Sequence, residues 1–193
     1  MYTTTLDTPD GPFSIVVAAV PGDGEHPAGE AVLAAGWTRT IDALLLLIHP
    51  TLRPTTDPGP AEHEVEAGTE QDTGIDLMLS GSGVLGEAVD AVRAYYDGDL
   101  GAPGRVPVRQ ASGPFRTHAW DVLRDVKAGE RLTYSEYAVR AGRPAAVRAA
   151  AGACAMNAAA LFVPCHRILR TDGTLGGFRY GLPIKESLLA REI

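Results

Sequence analysis

The sequence predicts an α/β protein in two parts, a small sheet with helices followed by a mainly helical second part. Three observations carry this. Residues 1–56 alternate short apolar, β-compatible runs with Gly/Pro-rich turns. From Phe115 onward, apolar residues recur at helical spacing instead. Between them lies "DLGAPGRVPVRQASGP", a linker-like stretch that puts a boundary near residues 101–113, with domains expected at 1–105 and 106–193. A chain of 193 residues can bury a core as one large domain or as two small ones.

In the first part, "PFSIVVAAV" and "EAVLAAGW" read as β segments around the turn "PGDGEHPAGE". "TRTIDALLLLIHP" reads as a helix ending before Pro50, since a residue ahead of proline is pushed out of the helical region. Residues 59–74 are acidic and poor in large apolar side chains, so a mobile loop is expected there. "GVLGEAVDAVRAYYDG" puts Leu85, Val89, Val92 and Tyr96 on one face of a helix that stops at Gly98.

The second part reads as helices. "FRTHAWDVLRDV" repeats Phe115, Ala119, Leu123 and Val126 at helical spacing, beside Trp120. "TYSEYAVRAG" sets Thr133 three residues ahead of Glu136, the spacing of a capping box, and closes at Gly142. "RPAAVRAAAGACAMN" restarts a helix with Pro144 in its first turn and runs towards Asn157. Helix, glycine turn and small-residue helix give the outline of a helix-turn-helix, and the alanines allow close approach to another backbone or to DNA. "LFVPCHRIL" follows as a β-like or irregular buried segment, then the loop "TDGTLGGF" and a final amphipathic helix, "LPIKESLLAREI".

A composition of 45% hydrophobic and 21% charged residues is ordinary for a globular protein. No targeting segment is evident: the apolar run 13–20 has no basic region before it, and 43–49 is too short to span a bilayer. No membrane partner is expected. Only Cys154 and Cys165 are present, which argues against a disulfide framework and for a reducing cytoplasm. The net charge of −7 hides an asymmetry. Residues 1–110 carry 5 Lys/Arg and 17 Asp/Glu, whereas residues 111–193 carry 12 and 7. A basic second half beside an acidic first half points to a polyanionic partner; the alternative is a dipole between two solvated surfaces.

The chemistry concentrates in "VPCHRIL", residues 163–169. A cysteine in an apolar segment is usually a small hydrophobe, and becomes a nucleophile only where a base or a positive neighbour gives it thiolate character. His166 is the adjacent base, yet neighbours on an extended strand point to opposite faces, so contact requires an irregular backbone such as Pro164 can supply. The dipeptide alone leaves a reactive thiol and a buried one both open. A metal site is disfavoured, because no Cys/His pair has zinc spacing.

Residues 115–192 resemble the O6-alkylguanine-DNA alkyltransferases, also called methylated-DNA–protein-cysteine methyltransferases. The likeness rests on "GERLTYSEYAVRAGRPAAVRAAAGACAMNAAALFVPCHRIL" followed by "GTLGGFRYGLPIKESLLARE". These contain the Pro-Cys-His-Arg signature, an Asn eight residues before the cysteine, and the closing Lys-Glu…Leu-Leu…Glu helix. "TPDGPFSIVVAA" and "LLLLIHP" are looser echoes of the family's first domain. The resemblance implies a ribonuclease-H-like α/β domain followed by a winged-helix-like domain that binds DNA and carries the chemistry.

Roles follow residue by residue from that likeness. Cys165 corresponds to the alkyl acceptor, His166 to the imidazole that takes its proton through a water, and Glu192 to the carboxylate that orients the imidazole. Asn157 is similar to the residue bracing the helix-turn-helix against the site. Tyr134 is similar to the tyrosine that helps rotate the nucleotide out and protonates the leaving guanine. Arg148 resembles the finger that enters the duplex, with Arg143, Ala145, Ala149 and Gly152 on the same DNA-facing surface. Val163, Pro164, Phe178, Arg179 and Tyr180 are expected around the lesion. The implied partner is double-stranded DNA bearing O6-alkylguanine, approached through the minor groove by a monomer; no metal or cofactor is implied. Phe178-Arg179-Tyr180 departs from many relatives and leaves lesion size open. The first half has no cysteine, and so neither a cysteine-ligated zinc nor a second acceptor thiol. Two rivals remain: a lesion-binding protein without transfer, which Cys165 argues against, and a Cys-His-Glu hydrolase, which would turn over without DNA.

Overall fold

A computed structural model describes residues 1–22, 24, 26–53 and 83–193; the acidic run 59–74 lies outside the described residues. Three antiparallel strands open the chain in the spatial order β1 (Tyr2–Thr8), β2 (Gly11–Val20), β3 (Gly29–Gly36). The threonine-rich β1 has no buried residue, so its pattern carries no apolar alternation to betray it. The middle strand is buried on both faces. Phe13, Ile15 and Val17 enter the main core, while Val16, Ala18 and Val20 meet Leu44 and Ile48 on the other side.

The helix expected up to Pro50 is much shorter. Helix α1 covers Ile41–Leu45, and a separate 3-10 turn covers Pro50–Leu52. A run of four leucines cannot all face one core, and Leu46 is 73% exposed. Pro50 opens the second turn, where its missing N–H costs nothing. Helix α2 (Val84–Tyr96) ends at Gly98 as expected, but its buried face centres on Tyr95 and not on Tyr96. Tyr96, half-buried, donates to Asp10 Oδ2 at 2.8 Å and accepts from Trp37 Nε1 at 3.2 Å.

Helix α3 (Pro114–Arg124) buries Ala119, Trp120, Val122 and Leu123. Strand β4 (Leu132–Thr133) leads into α4 (Tyr134–Arg140) through the expected capping box: Glu136 N–H donates to Thr133 Oγ1 at 3.2 Å, and Thr133 N–H to Glu136 Oε2 at 2.7 Å. Helix α5 covers Val147–Ala155 and starts three residues later than expected. Pro144 sits instead in a turn closed by Ala146 N–H to Arg143 O at 2.8 Å, where its fixed φ is useful and its lack of an N–H is harmless. Strand β5 (Ile168–Leu169) pairs in parallel with β4, and α6 (Leu182–Arg191) closes the chain.

The helix-turn-helix packs through small residues. Trp120 Nε1 donates to Ala153 O at 2.8 Å and Tyr137 Oη to Ala119 O at 2.7 Å, contacts that alanine-faced helices permit. One buried cluster runs through both parts of the chain, including Phe13, Val32, Tyr95, Trp120, Tyr137, Phe162 and Leu188. Each large side chain there contributes about 1.5–3 kcal/mol of transfer free energy.

The free edge of β3 ties the first part to the second. Val32 N–H donates to Pro107 O at 2.9 Å and its carbonyl accepts from Arg109 N–H at 3.0 Å. Further along, Ala35 N–H donates to Ala158 O at 2.8 Å and Ala160 N–H to Ala35 O at 3.0 Å. An edge strand needs such partners for its unpaired backbone groups. The pairing fixes residues 158–160, and through them the segment that carries the cysteine.

Candidate active site

Downstream of that anchor the chain buckles. Leu161 adopts φ 72°, a left-handed conformation that costs a β-carbon-bearing residue roughly 1–2 kcal/mol. Residues Cys165–Arg167 then form one 3-10 turn, capped by Pro164, with Cys165 N–H bonded to Val163 O at 2.8 Å. Three residues per turn send successive side chains roughly 120° apart. Cys165, His166 and Arg167 therefore point three ways, which an extended strand would not allow.

Asn157 grips the thiol. Its Nδ2 donates to Val163 O at 2.8 Å and to Cys165 Sγ at 3.1 Å. Its Oδ1 accepts from Gln110 Nε2 at 3.0 Å and from Ala159 N–H at 3.1 Å, and Gln110 Oε1 accepts in turn from Ala158 N–H at 2.8 Å. The amide is fully used, so its orientation is fixed. Burial pushes the Cys165 thiol up; the Asn157 hydrogen bond and the positive charges of Lys185 and Arg179 pull the other way. Lys185 is fully buried beneath, donating Nζ to Ile168 O at 2.6 Å and to Leu175 O.

Behind the thiol lies a buried ionic cluster. Glu192 Oε1 accepts from His166 Nε2 at 3.0 Å, Arg167 Nη2 at 2.8 Å and Tyr95 Oη at 3.0 Å; Oε2 accepts from Arg167 Nε at 2.9 Å. Arg167 Nη1 also donates to Val126 O. Burial alone would raise the Glu192 carboxyl, but His166 and Arg167 outweigh it and hold it down to about 2. Burial pushes the His166 imidazole below its ordinary value, partly opposed by Glu192, so the neutral ring is favoured. With Nε2–H given to the carboxylate, Nδ1 carries the lone pair, and it is buried without a hydrogen-bonding partner among the described residues.

Ahead of the thiol is a cavity of about 350 Å³. Its walls include Tyr134, Cys154, Asn157 and Cys165, with Phe178, Arg179 and Tyr180 across from α5. Val163 and Pro164 are buried and are not among its walls; Val163 contributes its carbonyl to Asn157 instead. Tyr134 is half-buried, and burial raises its hydroxyl above the ordinary value, so it keeps its proton. Burial drives the Cys154 thiol well above its ordinary value. The aromatic loop is pinned to the sheet, with Tyr180 Oη donating to Ala35 O at 3.2 Å and its ring 5.6 Å from Trp37. Gly36 makes room for this: a β-carbon there would lie 1.9 Å from Tyr180 Oη.

On the outer face, Arg143, Ala145, Arg148 and Ala149 are exposed and Gly152 is half-buried. The guanidinium of Arg143 lies 5.3 Å from the centre of the Phe115 ring. Sequence reasoning missed Tyr95, Gln110 and Trp37 as parts of the site. Nothing local marks them, since each acts across a long sequence separation. Arg167 and Lys185 were visible inside the signature and the closing helix but carried no role.

A cysteine held by Asn157 at a cavity wall, followed in the chain by a histidine bonded to a buried glutamate, stands here beside a helix-turn-helix. Residues 114–193 match the family model described as the DNA binding domain of 6-O-methylguanine DNA methyltransferase. A mouse methylated-DNA–protein-cysteine methyltransferase is 36% identical over 172 residues, covering 87% of this chain and 78% of the mouse protein. The Escherichia coli bifunctional transcriptional activator/DNA repair enzyme Ada is 43% identical over 90 residues, 47% of this chain and 25% of Ada. A Haemophilus influenzae methylated-DNA–protein-cysteine methyltransferase is 39% identical over 102 residues, 53% of this chain and 57% of that protein. The chain thus spans a quarter to little more than half of these two bacterial relatives. A solved single-substitution variant of the Mycobacterium tuberculosis O6-methylguanine methyltransferase superposes with a TM-score of 0.61 at 25% identity, covering 99% of this chain and 92% of its own. The chain belongs to the methylated-DNA–protein-cysteine methyltransferase family.

Proposed function

We propose that the protein repairs DNA by direct reversal, taking the alkyl group of O6-alkylguanine, and less well that of O4-alkylthymine, onto Cys165. The observation that carries this reading is the thiol itself, held by Asn157 between an open cavity and the buried His166–Glu192–Arg167 cluster. His166 Nδ1 takes the thiol proton through a bridging water, and Glu192 stabilises the imidazolium that results. The thiolate attacks the alkyl carbon in line, the S–C bond forms and the C–O6 bond breaks. Tyr134 gives its proton to the departing guanine. The thioether has no good leaving group, so one protein consumes one lesion, and the acceptor being part of the chain, no cofactor is needed.

The alkyl carbon is inaccessible inside a duplex, so the nucleotide must be flipped out at a cost of a few kcal/mol. Arg148, exposed on α5, fills the gap from the minor groove, while Ala145, Ala149 and Gly152 let the helix dock closely and Arg143 meets phosphate. In this reading residues 106–193 form the winged-helix-like, DNA-binding and catalytic domain; the family model matched over 114–193, described as a DNA binding domain, supports its DNA-binding part. Residues 1–105 form a ribonuclease-H-like buttress, and the protein works as a cytoplasmic monomer. The test is incubation with duplex containing O6-methylguanine, followed by intact mass and peptide mapping. A gain of one methyl group on Cys165, lost in Cys165→Ser, is expected. Several lesions processed per protein would point to a turning-over hydrolase instead.

A further inference from the structure

We propose that Arg179 makes the cavity selective for alkyl groups that end in an anion, of the O6-carboxymethylguanine type. This rests on the alkyl-transfer reading and adds to it a preference that the thiol and its base do not set.

Among the described residues, Arg179 is the one Asp, Glu, Lys or Arg side chain in the cavity walls, and no carboxylate lines it. Its Nη2 donates to Ala155 O, at the C-terminal end of α5, at 2.6 Å. That partner is a neutral carbonyl, so the guanidinium is positioned without being neutralised. A guanidinium offers five N–H donors, and this bond uses one. The residues on either side hold the backbone still: the Phe178 and Tyr180 rings lie 6.0 Å and 5.6 Å from Trp37, and Tyr180 is bonded to Ala35. The guanidinium is thereby positioned at the wall of the cavity that Cys165 and Tyr180 also line.

The chemistry gives that charge a task. A thiolate approaching a carbon that bears a carboxylate brings two negative charges together, which slows attack. A cation beside the carboxylate offsets this and fixes the group so that the methylene faces sulfur. The S–CH2 bond forms, the CH2–O6 bond breaks with its electron pair going to guanine, and the carboxylate is a spectator held by Arg179. A methyl group offers that guanidinium nothing.

The experiment compares duplexes carrying O6-methylguanine, O6-carboxymethylguanine and its neutral carbamoylmethyl analogue, reading single-turnover transfer to Cys165 by mass. In Arg179→Gln the carboxymethyl-to-methyl rate ratio should fall about tenfold, the scale of one charge-assisted contact. The carbamoylmethyl-to-methyl ratio should stay put, and Arg179→Lys should recover most of the carboxymethyl ratio. The melting temperature of each variant, measured alongside, reports that it is folded. An unmoved carboxymethyl ratio would overturn the inference. So would a parallel fall for all three lesions, which would place Arg179 on the DNA phosphates. Failure of the unsubstituted protein to accept a methyl group would instead sink the alkyl-transfer reading.

Discussion

The two sides of Cys165 are built in opposite ways. Behind it, Glu192 takes four hydrogen bonds from Tyr95, His166 and Arg167, and all of these groups are buried. Ahead of it, on α5 and the loop across the cavity, Arg148 and Arg179 are exposed and neither has a carboxylate partner among the described residues. The back is paid for once, at folding, and needs no reorganisation when a substrate arrives. The front leaves its cations available to a partner that brings its own negative charge. Substitutions behind the thiol should therefore show first in stability, and those ahead of it first in activity on duplex DNA.

The strongest challenge to this contrast is Glu192→Gln. It leaves the Arg167 guanidinium buried without its counter-charge, a change that typically costs about 3–5 kcal/mol. For a chain of this size that lowers Tm by about 10 °C. The pH dependence carries the same signature. Burial lowers the His166 pKa, so as pH falls below about 6.5 the unfolded chain takes up a proton before the native state does, and stability declines. Glu192 is held at about 2 against an ordinary 4.5, so its contribution is present above 4.5 and is lost as pH falls towards 2. The variant should lose this lower stage and keep the upper one. A Tm within about 2 °C of the parent, less than a 1 kcal/mol change, would show that the cluster is not what stabilises the back.

Arg148→Ala tests the front. Thermal stability should stay within about 0.5 kcal/mol, as for an exposed side chain with no ion-pair partner among the described residues. Repair in duplex DNA should slow by about a hundredfold if the side chain offsets the cost of base extrusion. Reaction with free O6-alkylguanine base, which needs no flipping, should be far less affected. Equal losses on both substrates would move Arg148 from the docking face into the pocket.

The same contrast explains what was legible in the sequence. Local signals were readable: the Thr133–Glu136 capping box, the stop at Gly98 and the irregular turn at Pro164 each depend on a few adjacent residues. The site was readable where the signature packs its groups together, at Cys165, His166 and Asn157, with Glu192 at the end of the closing helix. Strand β1 went unread because a threonine-rich edge strand shows no apolar alternation. The late start of α5 was missed because a proline suits both a first helical turn and a tight turn. Helical spacing alone puts Tyr96, not Tyr95, on the buried face: the choice between adjacent tyrosines depends on what lies opposite, and that is Glu192, 97 residues away.

Tyr95→Phe is the finest probe of the back wall and should give the smallest effect. Phenylalanine keeps the shape that fills the core, so only the hydroxyl and its bond to Glu192 Oε1 are lost. Net, a hydrogen bond of this kind contributes about 1 kcal/mol, which corresponds to a Tm lower by about 2–4 °C. A purely structural role would end there. The same Oε1, however, also accepts His166 Nε2. With one donor fewer, that oxygen binds the imidazole N–H more strongly and raises the basicity of the ring, whose pKa burial otherwise lowers. The acid limb of the pH–rate profile for transfer to Cys165 should therefore move up, towards the ordinary histidine value, by a few tenths of a pH unit. Measured side by side, Arg167 and Glu192 would account for the stability of the back wall and Tyr95 for the fine setting of its base. A lower Tm with an unmoved acid limb would reduce Tyr95 to packing, and the first part of the chain would then support the site without tuning it.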